Sequence, residues 1–196
     1  MSRRGITRAR WVAHVNGVSP PRDLRGWLTD TVSLTLKLSA SGNQFRVRRL
    51  RQAVRPCLGD EHHAIGLPKP GKVQEREVVL HCDGLPVVYA HTVVPLGATA
   101  SDWPFFATLG ERSLGTTLFG DPRVTRGELR YARLHDAHPL ARRTGAALGD
   151  MVDGPLFARR CLYRRGQGVL LVTEVFLPAI RELRAGKQHQ ANQGNR

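Results

Sequence analysis

Two charged residues stand inside otherwise apolar, strand-like runs, and they define the chemistry to be explained. In Val169-Leu170-Leu171-Val172-Thr173-Glu174-Val175-Phe176-Leu177, period-two alternation puts Glu174 on one face with Leu170, Val172 and Phe176. Both faces of the run are apolar, which marks a central strand covered on each side. A carboxylate there is costly unless it is paired or hydrogen-bonded, so Glu174 is either a structural partner for an arginine or a group aimed at a ligand. Arg76, in Val73-Gln74-Glu75-Arg76-Glu77-Val78-Val79-Leu80, shares a face with Val78 and Leu80, while Glu77 shares the other with Val73 and Val79. A guanidinium on an apolar face can clamp a carboxylate through two parallel hydrogen bonds, although a surface arginine on a half-exposed strand is the commoner case. Ser33-Leu34-Thr35 and Ser113-Leu114-Gly115 each offer a capping hydroxyl followed by backbone N–H groups that a helix start leaves unpaired. Such amides can meet an anion, or simply begin a helix that buries a leucine.

Around these residues, periodicity and turn chemistry outline the elements. Leu24, Trp27 and Leu28 follow Pro21 with helical spacing. The run from Ser33 to Leu38, closed by Ser41-Gly42, reads as a short helix capped by Ser33 or as a strand. Phe45, Val47 and Arg49 alternate with Arg46, Arg48 and Leu50, predicting a strand with one charged face, and residues 53–71, rich in proline and glycine, read as loop. Val73 to His81 and Val87 to Pro95 flank Cys82-Asp83-Gly84-Leu85-Pro86, where Asp-Gly marks a hairpin needing positive φ and Pro95 ends the second strand. Ser101-Asp102-Trp103-Pro104 predicts a helix ending at Gly110, followed by a second helical piece from Ser113 to Phe119, so that 101–119 reads as a packing helix-turn-helix. Val124 to Leu134 suits a strand, and 135–157 is polar, Gly-rich and partly helical. Arg159 to Arg165 and Val169 to Leu177 frame a second hairpin around Gly166-Gln167-Gly168, which Pro178 stops. This order predicts one α+β domain on a single antiparallel sheet over residues 21–180, a loose basic arm over 1–20 and a polar, fraying tail over 181–196.

Composition narrows the function classes. A chain of 196 residues, 41% hydrophobic and 23% charged, suits one globular domain able to enclose a pocket. It has no apolar run long enough for a membrane helix. The basic N-terminus lacks the apolar stretch of a secretory signal, and Pro20-Pro21 breaks any long amphipathic presequence, so a cytoplasmic location is expected. Cys57, Cys82 and Cys161 are odd in number and far apart, and of eight histidines only His62 and His63 adjoin, so neither a disulfide framework nor a metal is expected. The net charge of +14 fits a solvated basic surface, a nucleic-acid partner or attraction of a small polyanion. Its arginines are scattered through periodic segments, aromatics make up only 6%, and no zinc-finger or basic-zipper pattern is present, which disfavours nucleic acid.

The segments carrying these residues resemble the chorismate pyruvate-lyases. They are Trp27-Leu28 through Ser33-Leu34-Thr35, Arg76 to Leu80 with Asp83-Gly84-Leu85-Pro86, Thr92-Val93-Val94-Pro95, Leu109-Gly110 before Ser113-Leu114-Gly115, Leu118-Phe119, Ala158-Arg159-Arg160 and Leu170 to Pro178. The resemblance runs from Trp27 to Pro178, with 135–157 as an insertion. It implies an antiparallel sheet whose helix-turn-helix flaps close a buried pocket. It also implies an enzyme that takes pyruvate from chorismate, leaves 4-hydroxybenzoate and opens ubiquinone biosynthesis. The expected enzyme is a monomer without cofactor, metal, nucleic-acid partner or membrane span. By the same resemblance Arg76 holds the carboxylate of the aromatic product, main-chain contacts near Leu34 and Leu114 help to hold it, and Glu174 meets its hydroxyl. Ser113 replaces a frequent proline, and His91 stands where some members have arginine, which opens the question of which cation meets the second substrate carboxylate. A rival reading is a ligand-sensing domain, because the effector half of one class of bacterial transcription regulators resembles this lyase in fold. That reading needs a winged helix ahead of the domain, where only residues 1–26 precede Trp27.

Overall fold

The computed structural model describes residues 8–149 and 152–183. Its strands are β1 (Phe45–Pro56), β2 (Lys72–Cys82), β3 (Leu85–Pro95), β4 (Thr125–Leu134), β5 (Leu156–Arg165) and β6 (Gly168–Phe176). They form one antiparallel sheet in the order β1-β2-β3-β6-β5-β4. The turn between β2 and β3 has Asp83 and Gly84 at φ 50° and 83°, the left-handed pair that an Asp-Gly hairpin supplies. The Asp83 carboxylate also accepts the N–H groups of Asn43 and Gln44, at 2.8 and 2.7 Å, and so ties in the start of β1. Because β6 returns to lie beside β3, Glu174 pairs with Ala90 on one side and Arg159 on the other.

The edge strand β1 is longer than its turn-rich sequence suggests. Gln52 to Pro56 stay in register with Arg76 to Lys72, so the expected loop over 53–71 starts only after Pro56. An edge strand tolerates that proline because one side needs no ladder donor. Arg46, Arg48, Arg49, Arg51 and Arg55 are exposed along it, and such charges discourage edge-to-edge pairing.

Four helices cover the sheet: α1 (Arg22–Leu28), α2 (Leu34–Ser41), α3 (Leu114–Gly120) and α4 (Pro139–Leu148). The run after Ser33 is therefore a helix and not a strand. α1 and α2 lie over Val78, Leu80, Ala90, Phe157 and Phe176, where Trp27, Leu28 and Leu38 are fully buried. Each such side chain contributes roughly 1.5–3 kcal/mol by leaving water. α3 and the turns before it cover the rest of that face with Trp103, Phe106, Leu109, Leu114 and Leu118. α4 and the 57–66 loop cover the other face over Tyr89, Val93 and Val175, so α4, within the stretch expected as an insertion, covers the back of the sheet.

Two expectations are corrected. Residues 101–110 form consecutive turns and not a helix, with Phe106 N–H on Trp103 O, Leu109 on Phe106 and Arg112 on Leu109. Trp103, Phe106 and Leu109 are all buried, and a spacing of three is met by three-residue turns better than by a 3.6-residue helix. The arm expected to be loose is held from residue 8 onward. Val12 and Tyr131 exchange backbone hydrogen bonds at 2.9 Å, Val15 and Val18 are buried, and the Trp11 indole donates to Asp60 at 2.8 Å. The stretches 1–7 and 184–196 of the expected arm and tail lie outside the described residues.

Candidate active site

The face under α2 and α3 carries a small cavity with a largely apolar lining. Register builds its floor. One row across β2, β3 and β6 is Arg76, Thr92 and Val172; the next, continued onto β5, is Val78, Ala90, Glu174 and Arg159. The roof is Leu34 and Thr35 from the start of α2, and Ser113, Leu114, Leu118 and Phe119 from α3. All four residues expected at the site, Leu34, Arg76, Leu114 and Glu174, therefore line one cavity.

Arg76 is buried on β2. Its Nη2 donates to the carbonyls of Gly110 and Arg112, both at 2.9 Å, which fastens the turn leading into α3. Its Nε is buried without a hydrogen-bond partner. Burial, with the charge of Arg49 second, brings the guanidinium down to about 10, so it remains a cation at neutral pH. Glu174 accepts from Arg159 Nε at 2.5 Å. Arg159 in turn donates Nη1 to the carbonyls of Trp27, Leu28 and Asp30, at 3.1, 3.3 and 2.7 Å, closing the C-terminal end of α1. Glu174 is thus paired with a buried arginine and also lines the cavity. The two Ser-Leu segments face each other across the roof, where the hydroxyls of Thr35 and Ser113 are 2.6 Å apart. A Cβ on Gly115 would sit 2.7 Å from Thr35 Oγ1, so the glycine is what lets the two helix starts meet.

Sequence reasoning missed three polar residues of this cavity. Arg159 was recoverable, because counting back from the Gly166-Gln167 turn sets it opposite Glu174. Tyr163 lies two residues further along the same face, where burial first and the charge of Glu174 second push its phenol up. Arg126 comes from β4, where an irregularity between Arg126 and Leu129 breaks the alternation that would have marked it. Its Nη1 donates to the Thr31 carbonyl, its guanidinium stands 5.6 Å from the Phe119 ring centre, and its Nε is buried without a partner.

The profile of the family described as chorismate lyase matches residues 6–184. "Probable chorismate pyruvate-lyase" of Ralstonia nicotianae is 45% identical over 172 residues, covering 84% of this chain and 88% of its own. The protein of the same name from Cupriavidus pinatubonensis is 46% identical over 182 residues, covering 91% and 93%. The chain belongs to the chorismate lyase family. Solved structures similar to this family member include the effector domain of PhnF from Mycobacterium smegmatis, with TM-score 0.50 and 15% identity over 76% of this chain and 90% of that one. A PhnF C-terminal domain gives TM-score 0.53 and 17% identity over 67% and 82%. At such identities these likenesses establish the fold alone.

His91, one of the two departures expected from the resemblance, does not line the cavity. Its neighbours Ala90 and Thr92 line the floor, so His91 points to the other face. There its Nε2 lies 3.0 Å from Glu61 and its Nδ1 lies 3.5 Å from Glu77 and 4.0 Å from Glu75. Burial works against the charged ring, yet Glu61, Glu77 and Glu75 outweigh it and raise His91 to about 10. Glu75, Glu77 and His91 each bring one possible metal-ligand atom within 4.8 Å of the others. Arg143 of α4 already donates to both glutamates, at 2.9 and 2.6 Å, and Arg55 lies 3.7 Å from Glu75. Three carboxylates facing three cations make this a charge network that holds α4 to the sheet.

Proposed function

We propose that this protein removes pyruvate from chorismate to leave 4-hydroxybenzoate, the reaction that opens ubiquinone biosynthesis. The observation that carries the reading is the placement of Arg76 and Glu174 on one cavity floor, two strands apart. Two strand spacings across and two residues along make that roughly 12 Å between their backbones, and both side chains line a largely apolar cavity. A ring with a carboxylate at one end and a hydroxyl at the other fits between them. Arg76 takes the carboxylate, Glu174 accepts the hydroxyl hydrogen, and Arg159 keeps Glu174 from turning away. The starts of α2 and α3, at Leu34 and Leu114, close over the ring.

In the reaction the ether bond at C3 of the ring breaks and the hydrogen on C4 leaves as a proton. The electron pair it leaves completes the aromatic ring. The departing enolpyruvate gains a proton on its methylene carbon and becomes pyruvate, so all atoms are accounted for. Aromatisation supplies the driving force. The protein's part is to orient the dianion, match its charges and exclude water. The reading includes a cofactor-free monomer acting in the cytoplasm on small molecules, without a nucleic-acid partner. No helix among the described residues is long and apolar enough to cross a membrane.

The test is incubation of the purified chain with chorismate, with and without a metal chelator. Equal amounts of 4-hydroxybenzoate and pyruvate should appear in both cases. Neither product appearing overturns the reading, and activity lost to the chelator but restored by a divalent ion overturns its cofactor-free part.

A further inference from the structure

We infer that Arg126 is the cation that receives the second, enolpyruvyl carboxylate of the substrate, an inference that rests on the lyase reading above. Among the described residues lining the cavity, the charged side chains are Arg76, Arg126, Arg159 and Glu174. Three positive charges less one negative leave two, which a dianion neutralises. Arg76 is assigned to the ring carboxylate. Arg159 is committed to Glu174 and to three main-chain carbonyls. His91 faces the opposite side of the sheet. Arg126 remains, donating Nη1 to Thr31 O, standing beside Cys161 and keeping a buried Nε without a hydrogen bond.

Topology gives the same answer independently. Across the sheet the order is Arg76 on β2, then β3, Glu174 on β6, Arg159 and Tyr163 on β5, and Arg126 on β4. In chorismate the ether carbon adjoins the hydroxyl-bearing carbon, at the end of the ring opposite the ring carboxylate. The enolpyruvyl group reaches outward from the ring beside the hydroxyl, so its carboxylate stands nearer the hydroxyl than the ring carboxylate does, on the side of Glu174 where Arg126 lies beyond Arg159. The product has lost the group that Arg126 holds. Arg126 should accordingly discriminate substrate from product, whereas Arg76 serves both.

The test compares the wild type with Arg126→Gln and Arg126→Lys, reading kcat/KM for chorismate and Kd for 4-hydroxybenzoate by calorimetry. Arg126→Gln should lower kcat/KM about a hundredfold, within the range for removing one partner of a buried charge pair, and move the product Kd less than about threefold. Arg126→Lys should recover part of the loss, since it restores the charge without the fork. Two results overturn the inference. One is a Gln variant as active as the wild type. The other is equal losses for chorismate and product, which would make Arg126 only a support for Thr31 and Phe119. If circular dichroism shows that Arg126→Gln has not folded, the Lys variant decides. It should lose chorismate efficiency about tenfold at unchanged product Kd, and an unchanged chorismate value overturns the inference. A wild type that turns over no chorismate removes the lyase reading itself, and the inference falls with it.

Discussion

The guanidinium of Arg76 is divided between the protein and the ligand proposed for it. Removing it leaves a ligand carboxylate buried without its partner, which costs on the order of 2–5 kcal/mol. Arg76→Ala should therefore weaken 4-hydroxybenzoate binding at least about tenfold and toward a thousandfold, with Arg76→Lys recovering part. Because Nη2 also holds the Gly110 and Arg112 carbonyls, the Ala variant should remain folded yet melt somewhat lower. Calorimetry beside circular dichroism checks both points, and a folded variant that binds as tightly as wild type places the site elsewhere. Arg76 and Glu174 were legible in the sequence because a charge inside an apolar alternating run is conspicuous. Arg126 was not, since the irregularity in β4 destroys the parity by which facing residues are recognised. His91 adjoins a matching motif, Thr92 to Pro95, yet its pairing with Glu77 puts it on the face opposite Arg76 and Val78. Neighbourhood in sequence was the weaker guide there.

Elements were legible where turn chemistry was strong. Asp83-Gly84 and Gly166-Gln167 each need a left-handed residue, so both hairpins could be located and their registers counted. The stretch 101–110 misled because its cap-like Ser101-Asp102 and Pro104 suit a helix, while burial of every third residue selects turns. The pairing of β3 with β6, which creates the site, joins segments too distant for any local signal. On the back of the sheet α4 closes over His91, whose charge there has a stability consequence. Its value rises from the ordinary 6.5 to about 10 on folding. The contribution of charged His91 is therefore fully present below about pH 6.5 and is lost as pH rises through about 10. His91→Gln should destabilise the fold by about 3–5 kcal/mol at neutral pH, because Glu61, Glu75 and Glu77 lose a buried partner. Urea melts at pH 7 and pH 10 should show a larger drop for wild type than for the variant. Parallel drops would mean that His91 is neutral in the folded protein.

For the whole molecule, binding in this cavity is visible as stability. At a concentration a hundredfold above Kd, 4-hydroxybenzoate should add about 2.7 kcal/mol, raising Tm in a saturable way. Benzoate, which has nothing for Glu174 to accept, should raise it less. Equal shifts from the two would remove Glu174 from its assigned role. The fold resembles that of the effector domain of PhnF at 15% identity, a likeness of scaffold and not of chemistry. The hydroxyl pair of Thr35 and Ser113, drawn together over Gly115, has a consequence of a different kind. It joins the starts of the two helices that roof the cavity. On the proposed reading, Arg76 on the floor sets affinity, while the roof bond sets how readily a guest leaves. A substitution at Ser113 can therefore change how long a guest stays while leaving how well it fits untouched.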